Sequence, residues 1–292
     1  GTLEEPEKAI NYIKKAMRLG RNDVWINVQY GSFLADLEKY EEAIEKFEYA
    51  LSLDEEKEET ELAFVYGQLG WCNRHLWNFE KALEYFMLSK EKGRNDVWVN
   101  VEMALCYENL EEPEKALECA LIAYELDKDD VHVLSELGVI YSCMEKYEEA
   151  LSFLLRAEEL GRDDAWIFEV TGTVLLNFDR YEEALDYFRK AYAKDEDGWY
   201  LYSMGECLRK LGRYEEAIEV LLESRQLSLD EDDVVDGEDL ELAHCYLGLG
   251  DKDNAQKYLD LARDSIDKQG TLNDDIKAEI EEIEKGILSL NN

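Results

Sequence analysis

Along the whole chain, apolar residues fall three and four positions apart, with glutamate, aspartate and lysine between them. That spacing predicts helices with one buried face. One phrase recurs within it: YEEAI at Tyr40 and Tyr214, and YEEAL at Tyr147 and Tyr181. Looser copies are FEKAL at Phe79, PEKAL at Pro113, PEKAI at Pro6 and KDNAQ at Lys252. Their alanines are Ala9, Ala43, Ala82, Ala116, Ala150, Ala184, Ala217 and Ala255, separated by 34, 39, 34, 34, 34, 33 and 38 residues. A dominant period of 34 with two short insertions predicts a stacked helical repeat.

Twelve residues before these alanines stands a second small residue: Gly31, Gly70, Ala104, Gly138, Gly172, Gly205 or Ala243. Four residues after them comes Phe47, Phe86, Ala120, Leu154, Phe188, Leu221 or Leu259. Three further on comes Ala50, Ser89, Ala123, Ala157, Ala191, Ser224 or Ala262. Steps of four and three share one helical face. The small residues let two antiparallel helices approach closely, and the large ones fill the groove between them.

With the alanine at place 20 of a 34-place register, the small residues fall at 8 and 27, the large one at 24 and an aromatic residue at 17. In this the chain resembles the tetratricopeptide repeat family over nearly its whole length. The resemblance implies an all-α fold, a right-handed α-solenoid (superhelix) of antiparallel helix pairs with a concave groove. Two family landmarks are missing. Arg21, Arg94 and Arg162 stand where the family has proline at place 32, and Asn27, Tyr66, Asn100, Leu134, Phe168 and Leu201 where it has tryptophan at place 4. Residues 1–270 are expected to form the array, a leading half repeat plus seven helix pairs. Residues 271–292 are expected to form a C-terminal capping helix, with the stripe Leu272, Ile276, Ile280, Ile283, Ile287 and Leu290. The partner of the Ala9 helix would precede residue 1, so the chain is read as part of a longer array. The acidic runs at Asp54 and Asp230 read as lengthened helix ends or loops.

GRNDVWIN at Gly20 returns as GRNDVWVN at Gly93 and GRDDAWIF at Gly161. Its glycine, at place 31, suits a left-handed helix terminus. Asp23, Asp96, Asp130 and Asp164, at place 34, suit the cap of the next helix. The ring falls at place 2, where consecutive repeats carry Trp25, Phe64, Trp98, His132, Trp166 and Trp199. Places 2, 5, 9, 12 and 13 form one stripe beside the core stripe, and the resemblance implies that this stripe faces the groove. Trp71, Arg74, His75, Tyr202, Arg209 and His244 share it. Two readings stay open. The rings pack between repeats, or they line a groove for a peptide or partner helix.

Charge and composition narrow the function. The net charge of −38 argues against a nucleic-acid backbone as ligand. On the stripe, Asp36, Glu108, Glu169 and Glu206 stand against Arg74, Arg209 and Lys210, close to neutral. The acidic excess is expected on the second helices, where it favours solubility. No apolar run approaches a membrane span. Six cysteines form no C-x-x-C pair, and Cys72, Cys106, Cys207 and Cys245 repeat at the apolar place 10. A reducing, cytoplasmic setting follows as the expectation. No catalytic constellation, metal site or cofactor motif is expected. The reading is a non-catalytic protein- or peptide-binding scaffold or adaptor with an aromatic-lined groove. The alternatives are a regulatory segment of a larger enzyme or sensor, and self-association through the unpaired N-terminal helix.

Overall fold

The computed structural model describes residues 4–53, 57–230, 236–270 and 272–290. The start of the leading half repeat, the centres of both acidic insertions and residues 271, 291 and 292 lie outside the described residues. The fold is an all-α helical repeat solenoid, with sixteen helices and no strand among the described residues. The chain divides into two units, residues 1–145 and 146–292.

The first unit holds α1 (Glu4–Arg18), α2 (Val24–Asp36), α3 (Tyr40–Ser52), α4 (Glu59–His75), α5 (Phe79–Glu91), α6 (Val97–Asn109), α7 (Pro113–Leu126) and α8 (Val131–Cys143). Within it α2 pairs with α3, α4 with α5 and α6 with α7, and each pair packs on the next. The helix α1 lies on α2, burying Ile10 and Ile13 and leaving Tyr12 and Leu19 exposed. The second unit holds α9 (Tyr147–Glu159), α10 (Ala165–Asn177), α11 (Tyr181–Tyr192), α12 (Gly198–Lys210), α13 (Tyr214–Asp230), α14 (Asp236–Gly248), α15 (Lys252–Gln269) and α16 (Asp274–Ser289). Here α10 pairs with α11, α12 with α13 and α14 with α15, while α16 lies against both α14 and α15.

The pairs close because small places face large ones. A Cβ added to Gly31 would come within 2.7 Å of the Phe47 ring, and one added to Gly70 within 2.8 Å of Phe86. Both rings are fully buried. In the next repeat the small place is Ala104 and the opposing residue shrinks to Ala120; both are fully buried, so a smaller opposing residue accompanies the added methyl at the small place.

Helix ends follow the punctuation. The carboxylates of Asp23, Asp96, Asp130 and Asp164 accept from the amides of Ile26, Val99, Val133 and Ile167. Each such cap stabilises its helix by roughly 0.5–2 kcal/mol. Gly20, Gly93 and Gly161 have φ of 97°, 96° and 99°. The following arginine amides return to the carbonyls of Ala16, Ser89 and Ala157, closing the preceding helices. Both insertions are partly absorbed into helix: α4 and α13 run to 17 residues, against 13 in α6.

Three details depart from the sequence reading. The turn inside each pair also needs a left-handed residue, and non-glycine residues supply it at Glu38, Trp77, Glu111 and Asp179 (φ 56–61°). The capping stripe is shorter than expected. Ile280, Ile283 and Ile287 are buried, but Leu272 and Leu290 are exposed because both lie beyond the ends of α16. The acid pairs Glu41–Glu42, Glu182–Glu183 and Glu215–Glu216 are exposed, as expected, but sit in the first turns of second helices, where the dipole favours negative charge.

Candidate functional site

The place-2 rings are held by the punctuation that precedes them. The guanidinium of Arg21 lies 4.8 Å from the centre of the Trp25 ring, Arg94 lies 4.4 Å from Trp98 and Arg162 lies 4.3 Å from Trp166. Each arginine stands two residues before the N-cap aspartate, outside the helix, and its side chain reaches forward over the ring in the first turn. The same arginines pair with the capping aspartates, at 2.8 Å to Asp23, 2.7 Å to Asp96 and 3.2 Å to Asp164. GRxDxW is thus one device: glycine ends a helix, aspartate starts the next, and arginine bridges the aspartate and the ring. The bridging arginine went unread in the sequence, although its spacing to both partners was visible there.

The rings are held but not enclosed. Trp25 is 53% exposed, Trp199 52%, Trp166 39% and Phe64 37%, and His132 is exposed as well. Trp98 is half-buried, edge-on to Phe86 at 5.9 Å. Trp98 packs between repeats, and most of the others present a free face.

Within the first unit the predicted residues fall into two groups. Trp25 and Phe64 flank a recess of about 430 Å³ between α2 and α4, floored by Val28, Gln29 and Glu61. Arg94 continues that wall, 6.0 Å from Phe64 and 4.4 Å from Trp98. The second group is Trp71, Arg74 and His75 on α4. Tyr40, at the start of α3, stacks on His75 at 4.8 Å and meets Trp71 edge-on at 5.7 Å. Arg74 donates to Glu102 at 2.5 Å and contacts His75 Nε2 at 3.1 Å. Burial, then the Arg74 charge, hold the His75 pKa below its ordinary value. Burial pushes the Glu102 carboxyl upward, against the opposing pull of Arg74. His132 stands apart from both groups.

In the second unit, Trp199 stacks on Tyr202 at 5.5 Å. Tyr202, Arg209 and His244 line a cavity of about 400 Å³ between α12, α14 and α16. Arg209 forms a double hydrogen bond with Glu241, and His244 meets Glu279 at 3.2 Å. Trp166 is held by Arg162.

Glu102 and Glu241 stand at place 6, which the sequence reading left out of the stripe. They neutralise Arg74 and Arg209, so the near balance of charge counted along the stripe does not hold in space. Burial pushes the thiols of Cys72, Cys106, Cys207 and Cys245 up to about 12, which makes them poor nucleophiles. Among the described residues no group of three or more His, Cys, Asp and Glu could hold a metal ion, and no helix is long and apolar enough to cross a membrane.

Sequence models of the tetratricopeptide repeat match residues 26–57, 133–165, 175–233 and 240–262. No curated protein matches the chain. Among solved structures, it is similar to a tetratricopeptide repeat protein from Parabacteroides merdae, at 14% identity and a TM-score of 0.63, over 91% of this chain and 98% of that one. PilF of Pseudomonas aeruginosa aligns at 22% identity and a TM-score of 0.61, over 78% of this chain and 99% of its own. YrrB, described as a TPR protein with an unusual peptide-binding site, aligns at 21% identity and a TM-score of 0.52, over 64% of this chain and 94% of its own. At these identities the likeness is one of fold.

Proposed function

This chain belongs to the tetratricopeptide repeat family, and on that premise we propose that it is a non-catalytic scaffold or adaptor that binds a protein or peptide segment across the aromatic stripe of its first helices. The observation that carries the reading is the exposure of Trp25, Phe64, Trp166 and Trp199, each at place 2. Exposed large rings are costly to leave in water and are enriched where partners bind. The guanidinium of Arg21 or Arg162 against its ring limits the motion of both groups, so less ordering cost falls on binding. The recess between Trp25 and Phe64 is open enough to take an apolar side chain of a ligand. The peptide-binding site named for YrrB supports a peptide as ligand. Six free cysteines support the reducing, cytoplasmic setting.

The test is capture of partners by the full chain and by a Trp25→Ala, Phe64→Ala variant. Trp25 and Phe64 have about half of their surface left to bury, worth about 1.5–3 kcal/mol before ordering costs are subtracted, so binding should weaken by about tenfold or more. Equal affinity of the captured partner for both proteins would remove the stripe as the contact surface. The exposed Tyr12 on α1 and Leu19 just past its end support self-association as the second reading. A sedimentation profile that stays monomeric in wild type and in a Tyr12→Ser, Leu19→Ser variant would dispose of it.

A further inference from the structure

The cavity between α12, α14 and α16 exists where the repeat breaks its own rule. Place 2 carries a ring in six consecutive repeats, from Trp25 to Trp199, but the seventh has Gly237. A Cβ at Gly237 would already lie 3.3 Å from the Tyr202 ring, so a larger side chain there would begin to fill the space. The glycine leaves about 400 Å³ open.

The walls of that space are chemically lopsided. Tyr202 gives an aromatic face, stacked on Trp199, and Leu240 gives an apolar one. Half of the remaining lining residues are carboxylates: Glu206 from α12, Glu241 from α14, and Glu279 and Glu282 from α16. Of the two cations, Arg209 is held by Glu241, and Lys210 is exposed at the rim. His244 meets Glu279. Glu206, Glu279 and Glu282 therefore outnumber the one cation not already held by a carboxylate of the cavity. Burial, then the Glu241 charge, raise the Glu206 pKa, a penalty that an incoming cation would relieve.

We propose that this cavity receives a cationic side chain, lysine or arginine, of the bound segment. The aliphatic stem would lie along Leu240 and Tyr202, and the charged head would sit among Glu206, Glu279 and Glu282 within reach of the Tyr202 ring. This deepens the groove reading above and rests on it for the identity of the ligand as a peptide. Gly237 is then a specificity residue, because a larger side chain there would meet the Tyr202 ring and intrude on the slot.

The experiment titrates the full chain with the peptide acetyl-Ala-Leu-Lys-Leu-Ala-amide and with versions carrying arginine or norleucine at the centre. Salt is held at about 0.15 M to damp the attraction of the whole acidic surface. The lysine or arginine peptide should bind about tenfold more tightly than the norleucine peptide, and which of the two binds better identifies the head group. Glu206→Gln should reduce that preference about fivefold. Gly237→Trp, which puts back the ring of the other repeats, should abolish it. Glu41→Gln, on the exposed side of α3, should leave it unchanged and so controls for the net charge of −38. Circular dichroism verifies that each variant is folded. Norleucine binding as tightly as lysine, or a preference that survives Gly237→Trp, overturns the cavity as a cation site. Both variants leave Trp25 and Phe64 intact. Failure here with ring-dependent capture intact therefore sinks the cavity alone, while loss of ring dependence with cation preference intact sinks the groove reading.

Discussion

At the joint between α4 and α6, Arg74 at place 12 meets Glu102 at place 6 of the following repeat, with 2.5 Å between them. One repeat further on, between α6 and α8, the same two places hold Glu108 and Glu136. Burial, then a hydrogen bond to Glu136 and its charge, raise the Glu108 pKa strongly. Burial and the neighbouring carboxylate favour the protonated form of Glu108, where the first joint holds a guanidinium. Glu108 Oε1 and Glu136 Oε1 are both buried without a hydrogen-bond partner. The second unit repeats the first solution, with Arg209 and Glu241. The register of the stack therefore does not depend on this contact. Small and large residues at places 8 and 24 set the packing, and places 12 and 6 tune its response to charge and pH.

The largest effect should come from breaking the first joint. Arg74→Met leaves Glu102, only 7% exposed, without its cation. Removing one partner of a buried ion pair costs 3–5 kcal/mol; Arg74 itself is partly exposed, so about 3 kcal/mol is expected at pH 7. The lone Glu102 carboxyl would then titrate higher still than in the wild type. A group with a raised folded pKa costs stability as pH rises above its unfolded value, so the loss should shrink at pH 5. Thermal unfolding at pH 5 and pH 8 reads both. A loss below about 1 kcal/mol at pH 8 would mean that water, not Arg74, compensates Glu102.

Converting the second joint into the first should have a smaller effect of opposite sign. Glu108→Arg faces Glu136 as Arg74 faces Glu102 and should stabilise the chain by about 1 kcal/mol at pH 8. Glu108→Gln isolates the proton. In the wild type the folded pair keeps a proton that the unfolded chain loses above the ordinary carboxylate range. Its stability contribution therefore falls as pH climbs toward the raised folded value. The glutamine variant should show a shallower decline between pH 5 and pH 8. An unchanged slope would mean that the two carboxyls are not coupled.

The period of 34 and the alanines of place 20 were legible because tight helix contact tolerates only small side chains there. The aspartate caps were legible because they act within three residues of themselves. The joints were not, because Arg74 and Glu102 lie 28 residues apart and belong to different stripes of different repeats. The recurrence of Arg at place 12 with Glu at the next place 6, in two joints, was the signal available. Asn27 and Asn100 also escaped. They are fully buried at the family's tryptophan place because Asn22 and Asn95 bond back to them, at 2.9 Å in each case. The third copy has Asp163 and Phe168 instead, so the pair was exchanged together. The rings were found by their period, but whether they are open faces or packed ones depends on neighbours that periodicity does not name.

The smallest effect uses Cys143 as a reporter of charge at the second joint. It is the exposed one among six free cysteines, at the end of α8. Burial raises its pKa first, and the charges of Glu108 and Glu136 add to that. Glu108→Arg puts a cation in place of a carboxyl group that raises the thiol pKa and should therefore lower it. The thiolate fraction at pH 7.5 rises in proportion, but nucleophilicity falls partly with it, so alkylation by iodoacetamide should accelerate only about threefold. Arg74→Met, one joint away, should leave that rate within about a factor of 1.5 of wild type, since the screened field fades over about 10 Å. The five buried thiols stay silent in the native state, so a single rate is read. A Glu108→Arg rate equal to wild type would show that the carboxyl pair does not act on the thiol, and the contrast between the two joints would then be one of packing alone.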